Sequence, residues 1–83
     1  MSELRARERP AEGPAAVWDP ADPGDFTRLA GSQLVRVDGD TAWIRTGNGG
    51  EMPVYPGWLV ILPDGAGDGQ AVFTTPEQAE ILD

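Results

Sequence analysis

Turn-forming residues interrupt this 83-residue chain so often that no regular segment between them can be long. Asp19-Pro20, Asp22-Pro23-Gly24, Asp38-Gly39, Gly47-Asn48-Gly49-Gly50, Pro56-Gly57 and Pro63-Asp64-Gly65 each carry a backbone reason to turn. Glycine reaches positive φ, proline presets φ and removes a donor, and aspartate and asparagine bond their own backbone. Short strands and one or two turns of helix are what fit between such breaks.

The segments between the turns agree with that reading. Ala15-Ala16-Val17-Trp18 is a first short strand. Asp22 is placed to cap a helix that begins at Pro23, carries Phe26, Leu29 and Ala30 on one face, and ends at Gly31. Gln33-Leu34-Val35-Arg36-Val37 and Thr41-Ala42-Trp43-Ile44-Arg45-Thr46 flank Asp38-Gly39, the strongest short hairpin signal. Glu51-Met52-Pro53-Val54-Tyr55 is a further strand, placed at an edge or bulge by Pro53. Trp58-Leu59-Val60-Ile61-Leu62 is apolar throughout, so both of its faces need cover. Gln70-Ala71-Val72-Phe73-Thr74 is the next strand. Thr75-Pro76-Glu77-Gln78 reads as the capped start of a last helix that carries Ala79, Ile81 and Leu82. Residues 1–13 lack periodic apolar positions and read as an extended N-terminal arm on a small β-rich domain of residues 14–83. The expected class is mainly β with two short helices (α+β), folded as a small twisted antiparallel sheet or partial barrel.

A chain this short buries only about 60% of the surface its unfolded form exposes, and many such chains add staples. This one has no Cys and no His, so disulfides and the usual zinc ligand sets are absent. A well-formed β core or association with another chain remains. The net charge is −8, and all six bases are Arg. Residues 1–12 are neutral, which leaves three Arg against 11 acids in the rest. Such a body repels phosphate, so neither nucleic acid nor an anionic membrane is an expected partner. No run of 18 apolar residues is present and the first ten residues are too polar for a secretory signal, so a cytoplasmic protein is expected.

Catalysis needs a group poised near neutrality, or a nucleophile beside a base. Without His, Cys or Lys, only a paired-carboxylate hydrolase survives as a chemical option. The nearest acid pairs, Asp38 with Asp40 and Asp64 with Asp68, sit in expected tight turns, where Asp serves the backbone. Asp64, Asp68 and Gly69 match three positions of a calcium loop. Ala66 and Thr75 stand where two ligands are required, so no metal is expected there. The glycine turn at 47–50 reads as a plain turn rather than an anion site. No enzyme activity and no cofactor are expected.

Binding surface is what remains. Trp18 and Trp58 have apolar neighbours and read as core. Trp43 shares a strand face with Thr41 and Arg45, opposite Ala42 and Ile44, which leaves it on the polar side. Trp beside Arg is a recurrent interface pattern, which makes Trp43, Arg45 and Arg36 candidate partner-binding residues. The plainer reading is that Trp43 covers the sheet edge or stacks under its own Arg45. Arg5, Arg7 and Arg9 alternate, so an extended arm presents all three on one side, either solvated or lying along an acidic neighbour such as another copy. Trp58, Val60 and Leu62, on the strand that needs two covers, are the candidate oligomer interface.

The order Pro14-Ala15-Ala16-Val17-Trp18-Asp19, helix Asp25-Phe26-Thr27-Arg28-Leu29-Ala30-Gly31, Val37-Asp38-Gly39-Asp40, Ile44-Arg45-Thr46, Pro56-Gly57-Trp58-Leu59-Val60 and Val72-Phe73-Thr74 resembles a family of small bacteriophage proteins. Members open with a Pro-Val-x-x-x-Glu-Ala strand and a short helix. They later carry a Thr-x-x-Gly-Glu hairpin and a Gly-Asp-Trp/Tyr strand. The likeness, over residues 14–82, is one of order and spacing. Here Gly57 meets Trp58 without the intervening Asp, and the last element ends in Ile81-Leu82 where the family has aromatics. The resemblance implies a phage or prophage origin and a small β fold, and it carries over no catalytic residue. Taken with that origin, the acidic body, the arm, the two-faced apolar strand and the exposed Trp43 point to a phage-encoded interaction or assembly protein in the host cytoplasm or on the virion, with a phage structural or host protein as partner and a homo-oligomeric state. The alternative is an anti-defence protein that sequesters a signalling nucleotide at a subunit interface, with Trp43 stacking the base and Arg36 or Arg45 meeting phosphate.

Overall fold

The structure is a computed structural model, and it describes residues 4–82. In chain order its elements are β1 (Arg5–Glu8), β2 (Ala11–Val17), α1 (Gly24–Ala30), a 3-10 turn (Gly31–Gln33), β3 (Leu34–Asp38), β4 (Thr41–Arg45), β5 (Glu51–Val54), β6 (Leu59–Ile61), β7 (Val72–Thr74) and β8 (Glu80–Leu82). The fold is mainly β with short helical segments, in two antiparallel sheets. One has five strands in the order β7-β6-β2-β1-β8 and the other three in the order β3-β4-β5.

The long strand β2 organises the larger sheet. Its first half pairs with β1, from Arg5 opposite Pro14 to Glu8 opposite Ala11, and its second half pairs with β6. Past β6 the chain stays beside β2, with the Leu62 amide donating to the Pro14 carbonyl and the Asp64 amide to that of Glu12. This backbone runs so close to Gly13 that a Cβ there would overlap the Leu62 carbonyl oxygen and lie 2.9 Å from the Asp64 nitrogen. Gly13 is therefore a requirement of close approach.

Strands β7 and β8, at opposite ends of this sheet, are joined by a turn over Thr75–Ala79. The Thr75 carbonyl accepts from the amides of both Gln78 and Ala79. Four flat strand spacings would put the ends about 19 Å apart, farther than so tight a turn reaches, so the sheet must curl. The Thr74 hydroxyl donates to the Glu8 carboxylate across the curl. No ladder joins β7 to β8, so the sheets are not closed into a barrel.

The main core lies where the two sheets and α1 meet. Phe26, Leu29 and Ala30 of α1 pack with Ala42, Ile44 and Val54 of the small sheet, Ala16 and Val60 of the large sheet, and Trp18. The Trp18 and Phe26 rings stand 4.9 Å apart, and the Trp18 indole N–H donates to the Asp40 carbonyl at 2.8 Å. Ala6, Ala15 and Ile61 form a second cluster on the opposite face of the large sheet. Each large apolar side chain so buried contributes about 1.5–3 kcal/mol.

Four sequence expectations change. Residues 4–13 are not an arm: β1 lies between β2 and β8, with Ala6 buried and Arg5 and Arg7 tied to this chain's own carboxylates. Its one buried residue is the small Ala6, so no apolar period advertised it, and residues 1–3 lie outside the described part. The C-terminal helix is one turn followed by β8, because pairing Glu80–Leu82 along the open side of β1 satisfies more backbone than a helix this short could. The helix near residue 24 starts one position later than expected. Pro23 is at its N-cap without a side-chain cap, and the Asp22 amide instead donates to the Asp19 carbonyl. Finally, β6 is covered on both faces by this chain, Val60 in the main core and Ile61 in the second cluster, so its burial calls for no other copy.

Candidate functional site

Strand β4 sets the geometry of the small sheet. Ala42 and Ile44 are buried toward the core, while Thr41, Trp43 and Arg45 take the outer face, as the alternation predicts. Pairing then places Arg36 of β3 on one side of Trp43 and Pro53 of β5 on the other. The guanidinium of Arg36, rather than that of Arg45, lies over the indole, 4.9 Å from the ring centroid. Its Nη1 continues across the sheet to Glu51 Oε1 at 2.6 Å. Trp43 is thus half-buried beneath a cation bridging β3 to β5. Cation–π contact of this exposed kind is worth about 0.5–1 kcal/mol, and the exposed ion pair little more.

Two groups on this face remain uncommitted among the described residues. The Trp43 indole N–H donates to no protein group, in contrast to that of Trp18, and Arg45, exposed and opposite Glu51 in register, makes no ion pair. The sequence-predicted trio of Trp43, Arg36 and Arg45 is therefore brought together on one open sheet face.

The other predicted residues lie elsewhere. Arg5 pairs with Asp64 at 2.7 Å, and Arg7 pairs with Glu80 at 2.7 Å and Glu12 at 3.5 Å. The hydrogen bond and charge of Arg7 hold the Glu80 carboxyl below its ordinary pKa, and Glu80 raises that of Arg7. Arg9 is exposed at the β1–β2 turn. The acidic neighbour foreseen for these arginines is, for Arg5 and Arg7, this chain itself. Val60 is buried and has no surface to offer an interface. Trp58 and Leu62 are half-buried against the core, and Trp58 meets Tyr55 edge-on at 5.6 Å.

The carboxylates and hydroxyl nearest these surfaces have structural partners. The hydroxyl–carboxylate pair Thr74–Glu8 is a strut between β7 and β1, and Thr74 is buried beyond the reach of a substrate. Asp64 is taken by Arg5, and Asp68 accepts the Ser32 amide at 2.9 Å, which lowers its pKa. Among the described residues no three acidic groups are grouped to hold a metal ion. A cleft of about 480 Å³ between β2 and α1 went unforeseen, lined by Val17 and Leu29 and by Asp19, Asp22 and Asp25 among others. The three aspartates had local roles as turn and cap residues, and the meeting of Val17 with Leu29 along the cleft depends on how α1 crosses β2.

No protein-family model matches the chain, and no curated protein or solved structure matches it. No helix among the described residues is long and apolar enough to cross a membrane.

Proposed function

We propose that this chain is a non-catalytic interaction protein that docks a protein partner on the outer face of β3-β4-β5. Trp43 is the anchor, and Arg36 and Arg45 frame it. The observation that carries the reading is Trp43 itself: a large aromatic outside the core, whose indole N–H is spent on no described residue, on a sheet face that no other described element covers. Trp and Arg are the residue types on which binding energy concentrates. The absence of His, Cys and Lys supports a role without chemistry.

The likeness in element order to small phage proteins supports a phage structural or host protein as the partner, in the host cytoplasm or on the virion. The nucleotide reading has less behind it. Arg36 is held by Glu51, which leaves Arg45 to meet phosphate on a chain of net charge −8.

Affinity capture from phage-infected host lysate with immobilised wild-type and Trp43→Ala protein tests the proposal. At least one protein retained by the wild type should fall about thirtyfold in affinity for a variant that is equally folded. Identical retained sets for the two proteins would remove the Trp43 face from the function.

A further inference from the structure

Strand β3 is an open edge. It pairs with β4 on one side, and its residues from Val35 to Asp38 are exposed. Two of them are large and apolar, Val35 at 36% exposure and Val37 at 47%. Exposed apolar edges of this kind invite pairing with another strand.

The register shows which backbone groups are available. Asp38 faces Thr41 across a two-residue loop, Val37 faces Ala42, and Arg36 faces Trp43. In such a hairpin the closing pair and the pair two steps back exchange ladder bonds with β4, so the Val37 N–H and C=O point to the free edge. The register skips Val35, a bulge that interrupts regular pairing toward the N-terminus. Beyond it, the Gln33 side-chain amide is tied to the Ala71 backbone in both directions, at 2.8 and 3.3 Å. The usable edge is therefore the short stretch from Arg36 to the turn at Gly39.

That stretch is complementary to itself. We infer that two copies of this chain pair antiparallel along β3, with the two Val37 residues on the two-fold axis. Val37 then exchanges both backbone bonds with its counterpart. Arg36 of each copy stands opposite Asp38 of the other, at the non-hydrogen-bonded positions where side chains come closest, and its guanidinium exchanges Glu51 and the Trp43 ring for that carboxylate. A copy offers what an arbitrary strand does not: two symmetry-related Arg–Asp pairs on one face and a Val–Val contact on the other. The result is one six-stranded sheet with both Trp43 residues on the same surface. The seam is short, so the dimer is weaker than a standard interface would give.

Sedimentation equilibrium up to about 1 mM reads the association. Reversible dimerisation is expected for the wild type. Arg36→Asp alone and Asp38→Arg alone each replace two attractive pairs by two repulsive ones and weaken the dimer about tenfold, and both reversals together restore it. A wild-type chain that stays monomeric throughout overturns the inference. So does a dimer indifferent to single reversals, or one not rescued by the double. Where a reversal harms folding, amide exchange on the wild type decides: protection of Val37 must rise with concentration while that of Arg36, already bonded to β4, stays constant. Equal Val37 exchange at every concentration sinks the pairing. Arg45→Ala, on the far side of Trp43 from the seam, should weaken partner capture and leave the dimer constant unchanged, so loss of capture and loss of self-association remain separate results.

Discussion

The two sheets use the same residue types for opposite ends. In the five-stranded sheet Arg5 and Arg7 are tied to Asp64, Glu12 and Glu80, and Ala6, Ala15 and Ile61 form a buried cluster on one face. In the three-stranded sheet Arg36 lies across Trp43 and Arg45 pairs with no described residue. The tryptophans divide the same way. Trp18 is enclosed and spends its indole N–H on Asp40, whereas Trp43 is half-covered and spends its N–H on no described residue. Arginine on the first sheet orders a strand in an acidic chain, and arginine on the second frames a surface. Composition alone cannot make that distinction, because it rests on which carboxylates reach which guanidinium.

The contrast can be broken most directly at the two tryptophans. Trp18→Ala removes a fully buried ring and its hydrogen bond and should cost about 3–5 kcal/mol in denaturant unfolding, enough to leave much of so small a domain unfolded. Trp43→Ala should cost about 1 kcal/mol or less in the same assay. Equal costs would make Trp43 a structural residue and erase the difference between the sheets.

Gly13→Ala probes the tightness of the larger sheet and should cost about 2–3 kcal/mol, because the Leu62 carbonyl and Asp64 amide leave no room for a methyl group. Gly39→Ala, at a positive φ but in open space, should cost only about 1 kcal/mol. A neutral Gly13→Ala would mean that the chain after β6 does not run against β2 as described.

The smallest expected effect is with pH. Asp68 and Glu80 both have pKa values lowered in the fold, Asp68 by the Ser32 amide and Glu80 by Arg7. A folded state that holds a proton less tightly than the unfolded chain gains stability above the ordinary carboxylate pKa of about 4. It loses that gain as pH falls through the lowered value. Unfolding midpoints should therefore drop below about pH 4, and the combined Asp68→Asn and Glu80→Gln variant should show a shallower drop. An unchanged slope would mean that these contacts do not outlast solvent screening, the common fate of exposed pairs.

Much of the middle of the fold was legible from local chemistry. Asp38-Gly39, the glycine turn at 47–50 and Pro56-Gly57 each mark a turn that forms, Pro53 lies on an edge strand, and Ala42 and Ile44 face inward so that Trp43 does not. The two ends were not legible. Arg5–Glu8 and Glu80–Leu82 become strands by pairing with each other across nearly the whole chain, and neither carries the alternation of large apolar residues that marks a strand in isolation. The Thr75-Pro76-Glu77-Gln78 capping pattern begins a turn correctly and says nothing about the open edge of β1 that captures Glu80–Leu82. The pairing of Leu34 with Ile44 likewise depends on a bulge at Val35 that shifts the register by one residue, which no local pattern marks.

By itself, then, the amino-acid order determined where the backbone reverses and which side chains each central strand turns inward, since both are set by forces acting over two to four residues. Only the folded chain decided that the termini complete a sheet, that Arg5 and Arg7 meet acids while Arg45 does not, and that the edge at Val37 stays open. Those outcomes depend on segments far apart in sequence finding or missing one another. Ladder bonds and ion pairs form wherever the completed packing brings a free donor to an acceptor, and no local pattern records that meeting.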